Sequence, residues 1–144
     1  MSGAERLYTP ELLALTLKLA EYPFDENLPL EGAARSKSCG STLALRLGLD
    51  KQGVIARLGI RVHACAVGQA SAAIFAGAAP GHDRGSIEFA ARQMESWVEG
   101  ADGIPDWPGI AALEPARAYP ARHGAMMLPW RAALAALSSV AASS

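Results

Sequence analysis

A chain of 144 residues leaves room for one domain at roughly 100 to 200 residues per domain. Hydrophobic residues make up 51% of it, but 30 positions are alanine and 14 are glycine, so the core has to be assembled from small side chains with few aromatics. Thirteen Lys and Arg against fourteen Asp and Glu give a net charge of −1, which lacks the basic excess of a nucleic-acid binder. No apolar run approaches the roughly 20 residues that span a bilayer, and Met1 to Pro10 carries no basic segment followed by an apolar one. The expectation is a single cytoplasmic domain over 1–144, with neither nucleic acid nor membrane as partner.

Thr9-Pro10-Glu11 has the order of a helix start, and Leu12, Leu15 and Leu19 recur at helical spacing, so a helix is predicted over 10–20 and ended by Tyr22-Pro23. The proline- and charge-bearing stretch 23–38 reads as an extended surface connection that delivers the chain to Cys39. After Gly40 the period changes. Leu43, Leu45, Leu47 and Leu49 alternate with Thr42, Ala44, Arg46 and Gly48, Asp50 to Gly53 forms a turn, and Ala56, Leu58, Ile60 and Val62 alternate with Arg57, Gly59, Arg61 and His63. These two runs predict an antiparallel hairpin with one apolar face. Continuing the alternation places His63 and Cys65 on the side away from the core. A third strand is expected from 61–65 or from the connection before Cys39.

Gly68 marks a break, after which an alanine-rich helix is predicted over 69–78, ended by Pro80 to Asp83 with His82 at the surface. A second amphipathic helix over 86–99 places Ile87, Ala90, Ala91, Met94, Trp97 and Val98 inward, with Gly100 as its C-cap. A loop over 102–108, a helical turn over 110–115 and a last helix over 128–140 complete the chain, and the tail 141–144 should fray. Met126 and Met127 open that helix, and Trp97, Trp107 and Trp130 are read as packing residues. The fold class is α+β, a small antiparallel sheet of about three strands with helices packed on one face.

Two cysteines, Cys39 and Cys65, cannot make a disulfide framework, so in a reducing compartment they are free, catalytic or metal-binding, or simply small buried hydrophobes. The hairpin folds its two ends together, which brings both thiols to one edge of the sheet. Cys65 also stands just before a helix N-terminus, whose partial positive charge favours a thiolate. His63 and His123 are the candidate nitrogen donors. A thiol enzyme built on His63 and Cys65 fares poorly: residues two apart on a strand are roughly 7 Å apart at Cα. No orienting acid or glycine-rich oxyanion loop is evident either.

Three segments, SKSCGST, GIRVHACAVGQASAA and YPARHGAMMLPW, resemble the scaffold proteins of iron–sulfur cluster assembly, the IscU, SufU and NifU N-terminal group. Cys65-Ala66-Val67-Gly68-Gln69-Ala70-Ser71 follows that family's Gly-Cys-Ala-x-x-x-Ala-Ser run in order and spacing from the cysteine on, and the Leu128-Pro129-Trp130 ending is closer to the SufU branch. The resemblance implies an IscU/SufE-like fold and a non-enzymatic role. Transient iron–sulfur cluster, or zinc, would be bound through Cys39 and Cys65, with a cysteine desulfurase and other assembly proteins as partners. It also exposes two departures, since Ser41 replaces the auxiliary acidic ligand and Ala125 falls where the third cysteine is expected. Structural zinc takes four donors and a [2Fe–2S] cluster normally does. Completion would therefore call on His63, His123, water, an exogenous thiol, or a homodimer that pools two cysteines from each chain. The alternative is a scaffold fold that has lost its metal and serves as an interaction or regulatory module in cluster assembly.

Overall fold

Thr9 Oγ1 accepts a hydrogen bond from the Leu12 N–H at 3.1 Å, and Pro10 stands at the first helical position, so helix α1 (Pro10–Lys18) starts where the sequence places it. A 3-10 turn (Leu19–Glu21) closes it. In this computed structural model, which describes residues 7–37 and 40–142, three strands follow: β1 (Leu30–Arg35), β2 (Thr42–Leu49) and β3 (Ile55–His63). They form an antiparallel meander in the order β1-β2-β3, with Leu45 opposite Gly32 on one side and Ile60 on the other. The hairpin between β2 and β3 turns at Asp50, whose carboxylate accepts from the Gln52 and Val54 N–H groups at 2.9 and 3.0 Å, and at Gly53, whose φ of +81° only glycine adopts without strain. The first strand comes from the connection before Cys39, one of the two places expected for a third strand, so only the rest of 23–38 is a connection. Gly32 and two alanines in Leu30–Arg35 hide the apolar alternation, yet the missing side chain is what lets a helix reach this strand. A Cβ on Gly32 would collide with the Ala132 carbonyl and the Ala136 nitrogen.

Helices α2 (Ala66–Ala78) and α4 (Pro120–Ala142) lie on one face of the sheet, α2 against β3 and α4 against β1 and β2, while α1 packs on α2 and α3 (Arg84–Val98) packs on α4. Asp83 caps α3 through a reciprocal pair with Ser86, so that helix begins two residues before the predicted start. The turn over 110–115 is a longer 3-10 segment, Ile110–Ala118. The last helix begins at Pro120, eight residues before the predicted start, so Met126 and Met127 sit inside it. Its apolar periodicity is blurred by alanines, and Pro129 lies within it without ending it. It also runs through Ala142, which shortens the predicted fray, and Ser143 and Ser144 lie outside the described residues.

Bulk in the core comes from a small aromatic group. Phe75 stacks on Trp107 at 5.3 Å between centroids, and Trp130 meets both rings edge-on at 5.6 and 5.5 Å. The Trp107 indole donates to the Ile74 carbonyl at 3.0 Å. His82 is not a surface residue: it is half-buried, stacked on Trp107 at 4.5 Å, with Nδ1 3.0 Å from Ser86 Oγ. Along the outer edge of β3, the Ile60 N–H donates to Tyr22 O, with Pro23 bridged alongside, and Ile55 exchanges hydrogen bonds with Gly81 and His82.

Candidate functional site

Three chain segments meet at one end of the sheet. Thr42 pairs with His63, so the loop between β1 and β2 and the exit from β3 share that end. The loop is closed at its base, where the Ser36 N–H donates to the Ser41 carbonyl at 2.8 Å and the Gly40 N–H donates to the Ser36 carbonyl at 3.0 Å. By sequence it carries Cys39, which with Ser38 lies outside the described residues. Buried Ser36 sits directly against Gly124 of α4, because a Cβ on Gly124 would collide with Ser36 Oγ.

Cys65 is the N-cap of α2, which begins at Ala66 rather than Gln69, and Gly68 is a helical residue instead of a break. The reason lies in packing. A Cβ on Gly68 would come within 2.6 Å of Ala64 Cβ, so glycine makes room for Ala64 at the turn into α2, while Ala125 Cβ of α4 lies at an ordinary contact distance of 3.5 Å. Ser71, the last residue of the Cys-Ala-x-x-x-Ala-Ser run, is fully buried and donates to the Met126 carbonyl at 2.6 Å, which ties α2 to α4. The Gln69 side chain donates to the Ala64 carbonyl at 2.9 Å and steadies the turn that holds Cys65. Sequence reasoning missed these positioning roles of Gly68, Gln69 and Ser71, although all three lie inside the motif it singled out.

The predicted donors separate at this point. His63 ends β3 on the outer face of the sheet and is exposed, whereas Cys65 leaves the strand and is half-buried against the core, so the two do not share a face as alternation suggested. His123 lies on α4 with Nε2 2.7 Å from the Arg117 carbonyl, an interaction that occupies one ring nitrogen. Ser41 is buried. Ala125, at the third-cysteine position, is completely buried and offers only a methyl group. Pro129, four residues on, supplies no N–H for the Ala125 carbonyl. Among the described residues no group of three or more His, Cys, Asp and Glu could hold a metal ion. By sequence the chain holds two cysteines in all, too few thiols for a closed four-donor site within one chain.

No protein-family model matches the sequence, and no curated protein matches it. Solved structures do. A nitrogen-fixing NifU-like protein (N-terminal) from Brucella abortus is 23% identical over 99% of this chain and 100% of its own, with a TM-score of 0.89. A putative iron–sulfur cluster assembly scaffold protein for the SUF system from Fervidobacterium islandicum is 21% identical over 91% of this chain and 96% of its own, with a TM-score of 0.79. The α+β architecture, the three-stranded meander and the placement of the helices on one face are common ground, so the chain has the fold of the NifU-like and SufU structures, the same group that its cysteine-bearing segments resemble.

Proposed function

We propose that this protein is a scaffold-like, non-enzymatic component of iron–sulfur cluster assembly. It accepts sulfur from a cysteine desulfurase and holds metal or nascent cluster, as cargo, through Cys39 and Cys65. The observation that supports this reading is the convergence of the base of the β1–β2 loop, the Cys65 cap and the Gly124-Ala125 turn of α4 at one end of a sheet whose fold is that of SufU and NifU-like structures. In the sulfur-accepting step a scaffold thiolate attacks the outer sulfur of the donor persulfide, the S–S bond of that persulfide breaks, and the desulfurase thiolate leaves. With two thiols per chain the cargo keeps coordination positions open to water, an exogenous thiol or the cysteines of a second copy. Such a holder binds weakly and releases readily.

A second reading, a metal-free interaction module, draws on the buried methyl of Ala125 and on the hydrogen bond that occupies His123. Anaerobic purification followed by metal analysis, then reconstitution with iron and sulfide, separates the two. Metal or a cluster absorption spectrum that disappears in Cys39→Ser and in Cys65→Ser is the expected result. Protein that stays colourless and metal-free after reconstitution, yet still binds a desulfurase after Cys39→Ser, would establish the module instead.

A further inference from the structure

The helices cover one face of the sheet, and the other face has an unusual composition. Its outward positions are Glu31, Ala33 and Arg35 on β1, Thr42, Ala44 and Arg46 on β2, and Arg57, Arg61 and His63 on β3, as the register sets them side by side. Four arginines thus stand with one glutamate at these positions on a chain whose net charge is −1, while the segment 23–25 lies against Gly59 and covers the far end of the same face. Glu31 is already committed, paired with Arg46 at 3.2 Å, and Arg46 also donates to the Leu28 carbonyl at 2.9 Å. Among the described residues no ion pair reaches Arg35, Arg57 or Arg61. Arg35, Arg61 and His63 rim a shallow concavity of about 430 Å³ whose floor includes Ala33, Ala44 and Thr42. Small floor residues keep it open. The Arg61 guanidinium lies 4.2 Å from the centroid of the Phe24 ring, a cation–π contact that holds it in place before any ligand arrives.

We propose that this outer sheet face docks an extended acidic segment of a partner protein, with Arg35 and Arg61 taking its carboxylates across the Ala33–Ala44 floor. Charge complementarity and spacing select this occupant. By the register Arg35 stands across Thr42 from His63 and two residues along from Arg61, roughly 12 Å from Arg61 at Cα, and same-side residues of an extended chain recur about every 7 Å, so one such segment lying obliquely across the strands reaches both with carboxylates one or two same-side positions apart. A small free anion finds no enclosure here, because Arg35, Arg61 and His63 are all exposed. Nucleic acid would demand a longer basic track and a basic chain, and this chain has an isoelectric point near 6.3. The face borders the Cys39 loop and the Cys65 cap through the Thr42–His63 pair, yet the inference is independent of whether those thiols hold metal.

The test titrates isotopically labelled wild-type protein with a short synthetic peptide of alternating glutamate and serine, reading amide chemical shifts, beside the glutamine analogue, inorganic phosphate and a single-stranded oligonucleotide. Shifts confined to 33–35, 42–44 and 61–63, weakened by salt and absent with the glutamine peptide, are expected. The double variant R35Q/R61Q should lose about tenfold in affinity, while Arg92→Gln, on the exposed side of α3, should change it less than about twofold. Shifts elsewhere, no binding of the acidic peptide, or tighter binding of phosphate or the oligonucleotide would overturn the proposal. The wild-type map decides even where a variant fails to fold, and protein that stays metal-free after reconstitution with iron and sulfide yet gives the expected map would sink the cargo reading alone.

Discussion

Gly124 and Ser36 form the tightest junction at the candidate site, because the serine hydroxyl occupies the volume into which any side chain at 124 would grow. The serine is 2% exposed and has little room to retreat. Gly124→Ala should therefore destabilise the protein by about 1 to 3 kcal/mol through overpacking, against the small gain that alanine brings to a helix interior. The two positions should also be coupled. In a Ser36→Gly background the same change should cost less, with a coupling of about 0.5 to 3 kcal/mol in a urea-denaturation cycle. Additive effects would mean that the loop does not rest on α4. Neither residue signalled this contact in the sequence, since a glycine between His123 and Ala125 and a serine in a loop resemble ordinary punctuation. The same holds at Ala125: counting back from Leu128-Pro129-Trp130 exposes the absent cysteine, but only packing against Gly68 reveals that the position is fully interior.

Helix α3 shows what a cap does for an element. Asp83 accepts from the Ser86 N–H at 2.9 Å while Ser86 Oγ lies 3.0 Å from the Asp83 N–H, and the hydrogen bonds from Ser86, backbone first, hold the Asp83 carboxyl below its ordinary 3.8. A depressed carboxylate pKa contributes stability that is fully present above the unfolded value and is lost as pH falls through the folded one. Asp83→Asn keeps a good N-cap without the titration. Thermal melts should therefore separate wild type from this variant at neutral pH, the two converging as the pH drops below 3.8; a constant gap down to strong acid would contradict the assignment. This cap was readable only in part, and the pattern extends to the other elements. Where leucines alternate or recur at helical spacing, as in β2, β3 and α1, the sequence locates the element closely. Where alanine and glycine replace them, as in β1 and the first turns of α2 and α4, the pattern fades, because small residues mark close approach between backbones rather than one apolar stripe.

At the scale of the molecule, thirty alanines and three tryptophans divide the labour of the core. Alanines let α2 and α4 approach each other and the sheet, and the aromatic group of Phe75, Trp107 and Trp130 fills what remains. Trp107 is the piece that holds the loop before the 3-10 segment onto this group. Trp107→Ala should cost about 3 to 5 kcal/mol, a large share of the 5 to 15 kcal/mol expected of a whole domain. The measurement is the shift of the urea midpoint at unchanged slope, and a loss below about 1 kcal/mol would show that the loop carries its own weight. The outer edge of β3 has a consequence at the same scale. With Ile60 bound to Tyr22, and Ile55 to Gly81 and His82, that border of the sheet is sealed at two points, while no strand among the described residues pairs with the outer border of β1. A sheet with a single unsealed border can join a second copy through strand addition only once. Two molecules meeting there close on each other by twofold symmetry, so growth into a filament is blocked at the first step.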